Sequence, residues 1–150
     1  MFQNKVISLQ KIFVTKALVF IVATFLASNA VAEKDYALLA KRFLTNFQCA
    51  NFFVEGKIEK HFTAGLGQGR EFYVAVRESR IPKEQEGKIP MILGFLLPGP
   101  NADFYLGRVW QWAEEDSGEK VDEQCELCDA EGRQNVRRRL YKKNNCDLVL

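Results

Sequence analysis

Cys125-Glu126-Leu127-Cys128 puts two sulfurs three residues apart, the spacing of thiol pairs that open and close in redox exchange. Such pairs depend on nearby positive charge or a helix N-terminus to favour the thiolate. Here Asp122, Glu123, Glu126 and Asp129 surround the motif, and their negative charge disfavours it. No βαβ pattern frames the motif, as a thioredoxin-like reading requires. Haem attachment needs histidine at position 129, where Asp129 stands. A four-cysteine zinc site would have to combine one CxxC with two scattered partners, Cys49 and Cys146. The four cysteines therefore read as disulfides, and three connectivities exist. The expected pairing is Cys49 with Cys146 and Cys125 with Cys128. If Cys125 and Cys128 lie inside a regular helix, each reaches a different partner instead.

His61 is the sole histidine, so any site that needs two is excluded. Glu59 and His61 fall on different faces of a helix and form no HExxH-like set. A lone histidine reads as a surface or packing residue. Gly65, Gly67 and Gly69 alternate, but the P-loop lysine and hydroxyl are missing and the dinucleotide spacing is wrong. They read instead as close helix packing or a loop between helices. No GxSxG elbow or paired-carboxylate signature stands out. No catalytic residue, cofactor site or metal site is assigned, and an enzyme is disfavoured.

Arginine and tryptophan are typical interface anchors, so Arg108, Trp110 and Trp112 are the candidate partner-binding residues. They lie on an expected helix that Pro98-Gly99-Pro100 isolates, with Asn101 as N-cap and Asp103 in its first turn. Tyr105, Val109, Trp112 and Ala113 line one face of it, widened by Leu106 and Trp110. Arg108, Gln111 and Glu115 mark the polar side. Such a wide aromatic face needs other elements to cover it.

Those elements follow from periodicity. Asp35 caps a helix to about Val54, with Tyr36, Leu39, Ala40, Phe43, Phe47 and Ala50 on one face and Gly56 as stop. Residues 70–80 read as helix rather than strand, because no second clear strand exists to pair with them. Ile81-Pro82 ends it, and Lys83 to Lys88 is a solvated loop. Ile89 to Leu97 reads as a short buried helix entered at Pro90, with Gly94 admitting a close neighbour and a buried strand as runner-up. Glu114 to Glu131 holds nine acidic residues, and Arg133 to Lys143 holds six basic ones. A helix from about Asp122 to Lys143, with a break at Gly132 as a variant, places acid and base as the helix dipole favours. Cys128, Val136, Leu140 and Tyr141 would turn inward.

Met1 to Ala32 carries Lys5, Lys11 and Lys16 and no acid, then the apolar run Ala17–Ala27, then Ala30-Val31-Ala32. This is the pattern of a cleaved secretory signal peptide, and its apolar run is too short to span a bilayer comfortably. Cleavage leaves 118 of the 150 residues and, without three lysines, 18 basic against 19 acidic side chains. The precursor's pI of about 8.3 is therefore no argument for nucleic-acid binding. The expected organisation is a signal peptide at 1–32 and a single helical domain at 33–150. The fold class is all-α: a small bundle of four or five helices stapled by one or two disulfides. Localisation is the bacterial periplasm or the extracellular space, with no stable membrane span after cleavage.

The function that fits best is an exported, non-catalytic protein-binding module, such as an inhibitor or immunity-type protein for an envelope enzyme. Its partner is another exported protein. The alternatives are a periplasmic thiol-disulfide protein using residues 125–128, and a carrier of an apolar ligand with Phe95, Leu96 and Trp110 lining its cavity.

Overall fold

The computed structural model describes residues 34–150; the signal-peptide assignment lies outside them. They form α1 (Tyr36–Asn51), α2 (Ile58–Arg77), α3 (Lys83–Glu86), α4 (Met91–Leu96), α5 (Ala102–Asp122) and α6 (Ala130–Lys143), then a 3-10 turn at Cys146–Leu148. The fold is all-helical, with no strand among the described residues. Six helices replace the expected four or five, because the 83–88 loop winds into one turn at α3.

Helix α1 begins where Asp35 accepts a hydrogen bond from the Leu38 amide at 2.8 Å. A second anchor comes from α3, where Gln85 Oε1 accepts from the Tyr36 amide at 2.7 Å. The stripe Ala40, Phe43, Phe47 and Ala50 is fully buried. The helix stops at Asn51, short of Val54, because Phe53 turns left-handed at φ 50° and Gly56 follows at φ 71°.

The alternate glycines lie within the long helix α2, and two of them set its distance from α1. A Cβ at Gly65 would lie within 2.6 Å of the Phe47 ring, and one at Gly69 within 2.5 Å of the Phe43 ring. Being four residues apart, they share a face and let both rings rest against the α2 backbone. Gly67 points to open space. The phosphate-cradle alternative has no geometry to support it here, and the close-packing expectation holds.

Helix α5 opens as expected, with Asn101 Oδ1 accepting from the Phe104 amide at 2.9 Å and Asp103 in the first turn. It then runs on to Asp122. Its buried residues Tyr105, Val109, Ala113, Ser117 and Val121 recur every fourth position. The expected helix from Asp122 to Lys143 is thereby corrected. Residues up to Asp122 belong to α5, a disulfide-closed turn takes Cys125 to Cys128, and Asp129 caps a new helix by accepting from the Gly132 amide at 2.8 Å. Gly132 is inside α6 rather than at a break. Val136, Leu140 and Tyr141 face inward as expected, but Cys128 is exposed.

Two cores result. The first gathers Ala40, Phe43, Leu44, Phe47, Phe72, Leu93, Tyr105, Leu106, Val109 and Ala113. Edge-to-face ring contacts stiffen it, such as Phe43 to Phe47 at 5.2 Å between centroids. The second gathers Cys49, Phe52, Val121, Cys125, Val136, Leu140, Tyr141 and Cys146. The disulfides pair as expected: Cys49 with Cys146, across 97 residues, and Cys125 with Cys128.

Candidate functional site

An apolar groove of about 760 Å³ runs between the C-terminal end of α2, α3 and α4. Phe72 and Val76 form its floor with Leu93, and Ile81, Pro82, Ile89, Pro90 and Leu97 form its walls. Lys83 and Glu86 stand in its lining on α3, so its polar edge is of mixed sign. The local chemistry builds it directly. Ser79 turns left-handed at φ 53° just beyond α2, and two prolines then direct the chain through α3 into α4, leaving a trough between the returning segments. The volume suits an inserted apolar side chain or a small ligand.

Helix α4 is less buried than its composition suggested. Only Leu93 is enclosed, while Met91 is 74 % and Phe95 68 % exposed. Gly94 meets nothing within 4 Å; it opens onto the groove and admits no neighbouring helix. Met91 and Phe95 are four residues apart, so they form one apolar ridge beside the groove. Nearby, Phe104 is half exposed and lies over Gly99.

The three anchor candidates are spread around α5. Arg108 donates from Nη1 to the carbonyls of Leu96 at 3.0 Å and Pro98 at 2.9 Å, satisfying the free C-terminal end of α4. It thereby braces the ridge from behind. Trp110 packs edge-on against Phe62 at 4.8 Å and Phe47 at 5.4 Å, half-buried. It lines a smaller hollow of about 380 Å³ with Phe62, Leu66 and Leu106. Trp112 is half-buried against the first core. Phe95, Leu96 and Trp110, grouped in the sequence reading around one cavity, do not share one: Phe95 projects outward, and Trp110 lines the smaller hollow.

His61 is fully buried and holds the chain's end in place. Asn46 Nδ2 donates to Gln68 Oε1 at 2.9 Å and to the Val149 carbonyl at 3.2 Å, which turns its Oδ1 toward His61. His61 Nδ1, 2.7 Å from that oxygen, is therefore the protonated nitrogen. Its Nε2 lies 2.8 Å from the Tyr141 hydroxyl, which also reaches Asp147 Oδ1 at 3.0 Å. Lys57 Nζ donates to that same Asp147 oxygen at 2.9 Å. One hydroxyl hydrogen thus faces two acceptors when the imidazole is neutral, and Lys57 supplies Asp147 when it turns to the ring. Burial pushes the His61 pKa below its ordinary value, with Asp147 partly opposing this. Burial, aided by Asp147, pushes Tyr141 up to about 12, and the Lys57 hydrogen bond holds Asp147 low. With both ring nitrogens occupied and no exposure, His61 joins α1, α2, α6 and the 3-10 turn, and it lines neither the groove nor the smaller hollow.

Sequence reasoning missed the groove. Its signal was the apolar set Ile81, Ile89 and Met91 around a polar hexapeptide that read as loop. Among the described residues no cluster of His, Cys, Asp and Glu could hold a metal ion, and no helix is long and apolar enough to cross a membrane. No family model, no curated protein and no solved structure matches the chain.

Proposed function

We propose that this chain is an exported, non-catalytic protein-binding module, an inhibitor or immunity-type protein, that receives an apolar helical segment of its partner in the α2–α3–α4 groove. The observation that carries this reading is the exposed ridge beside the groove. A small ligand seated in the groove would reach Met91 in its lining but leave Phe95, which lies outside that lining, in water. A protein segment would cover both groove and ridge, and patches of this kind mark interaction sites. Lys83 and Glu86 add one charge of each sign at the edge, which suits an apolar segment flanked by polar residues of both signs. In this reading Arg108 acts by bracing α4, while Trp110 and Trp112 pack against the first core. Two disulfides fit an oxidising, exported setting.

The test is an affinity capture from the envelope and secreted fractions of the source cell with wild-type, Met91→Glu and Leu148→Glu chains. Leu148 is as exposed as Met91 but lies on the 3-10 turn. A protein held by wild type and by Leu148→Glu, and lost with Met91→Glu, supports the groove. Equal retention by all three sinks it. Native mass spectrometry that finds a copurified lipid instead would favour the apolar-ligand carrier.

A further inference from the structure

The turn between α5 and α6 carries a second feature that the binding reading does not use. Cys125 is 3 % exposed and belongs to the second core, whereas its partner Cys128 is exposed to solvent. Between them Leu127 is 98 % exposed, the most exposed large apolar residue described. Cys128 immediately precedes the Asp129 cap of the 14-residue helix α6. A Cβ at Gly132 would lie 2.9 Å from Cys128 Cβ and 3.3 Å from its sulfur, so glycine there lets the sulfur rest on the first turn of α6. That turn is the positive end of the helix dipole, where negative charge on sulfur is stabilised.

Of the acidic neighbours that argue against redox chemistry in the sequence, Asp122 is paired with a cation: Arg133 Nη2 donates to its Oδ1 at 2.6 Å. Asp129 keeps its charge as the cap of α6, where it accepts from the Gly132 amide. The other disulfide differs: Cys49 and Cys146 are both enclosed, at 1 % and 0 % exposure.

We propose that Cys125–Cys128 is a thiol-disulfide exchange site that oxidises a pair of reduced cysteines in another protein, with Cys128 as the attacked sulfur and Leu127 as an apolar contact for the substrate. A substrate thiolate attacks Cys128 Sγ. The Cys125–Cys128 bond breaks, and its electron pair leaves on Cys125 Sγ, which takes up a proton. The second substrate thiolate then attacks its neighbour's sulfur in the mixed disulfide, and the electron pair leaves on Cys128 Sγ. Two electrons have moved: the substrate gains a disulfide and the 125–128 pair becomes a dithiol. The oxidant is the protein's own disulfide, so one turnover needs nothing further. The exchange site is independent of the groove.

The experiment exposes the folded wild-type protein to reduced glutathione, traps thiols by alkylation and maps them by peptide mass spectrometry. The 125–128 pair should open at least about tenfold faster than 49–146, with the helical circular dichroism unchanged. In parallel, the Cys125→Ser and Cys128→Ser chains meet oxidised glutathione. The adduct should form at least about tenfold faster on Cys128 than on Cys125. Finally, Leu127→Ser should slow the oxidation of a reduced peptide whose cysteines are flanked by phenylalanine by a larger factor than it slows opening by reduced glutathione, each relative to wild type. Equal opening of the two disulfides, or an adduct that favours Cys125, overturns the exchange site. An unchanged peptide rate in Leu127→Ser, or equal slowing with both thiols, overturns the substrate contact.

Discussion

The two disulfides sit a short distance apart in the fold and are built in opposite ways. Cys49–Cys146 closes 97 residues, is enclosed on all sides and is flanked by the buried His61–Asn46–Tyr141 hydrogen bonds that hold the same chain end. Cys125–Cys128 closes one turn, with one sulfur in the second core and the other in water. The first limits how far the unfolded chain can spread, and the second limits little beyond its own turn. A protein that needed disulfides only for stability would gain little from the second.

Breaking the long disulfide should have the largest effect. Cys49→Ser with Cys146→Ser is expected to lower stability by about 4 to 5 kcal/mol, from the loop-entropy relation, visible as an earlier urea midpoint. Next come the glycines that fix the α1–α2 distance. Gly69→Ala should cost about 1 to 3 kcal/mol, because the enclosed Phe43 ring has to move. Gly67→Ala, facing open space on the same helix, should gain about 0.5 to 1 kcal/mol. Opposite signs in thermal melts would establish that packing distance, not glycine content, matters in α2. Removing the local pair with Cys125→Ser and Cys128→Ser should cost about 2 kcal/mol or less, and a loss as large as that of the long disulfide would erase the contrast.

The smallest effect is on pH dependence. The folded pKa of His61 lies below its unfolded value near 6.5, so the unfolded chain binds the proton first. The neutral ring's contribution is present above about pH 6.5 and is lost as pH falls from there toward the folded pKa. As the protein's single histidine, its ring protons can be followed by NMR without assignment work. The titration midpoint should fall below 6.5, and Asp147→Asn should lower it further by removing the opposing charge. A midpoint above 6.5 would mean that the Tyr141 and Asp147 contacts outweigh burial.

Periodicity made α1 legible, because the Phe43 and Phe47 stripe is strong and Asp35 is a clear cap. It made the start of α5 legible for the same reason. The far end of α5 was not readable, since five acids between Glu114 and Asp122 mask the fourfold recurrence of Val109, Ala113, Ser117 and Val121. The division before α6 depends on a disulfide and on Asp129 reaching the Gly132 amide, and neither leaves a periodic trace. Composition suggested a buried α4, but a six-residue helix can enclose only one of its faces, here Leu93, and the rest becomes the ridge. His61 gave no sign of burial because its partners, Asn46 and Tyr141, lie 15 and 80 residues away.

The spacing of four along α5 has a geometric consequence. At about 100° per residue, each step of four overshoots a full circle by about 40°. From Tyr105 to Val121 the inward direction therefore swings through about 160°, like a thread on a screw. One rod can thus present its near side to the aromatic core and almost its far side to the cysteine core. Deleting a single residue near Ala113 would turn one end about 100° against the other, unseating one core while leaving the helix itself intact.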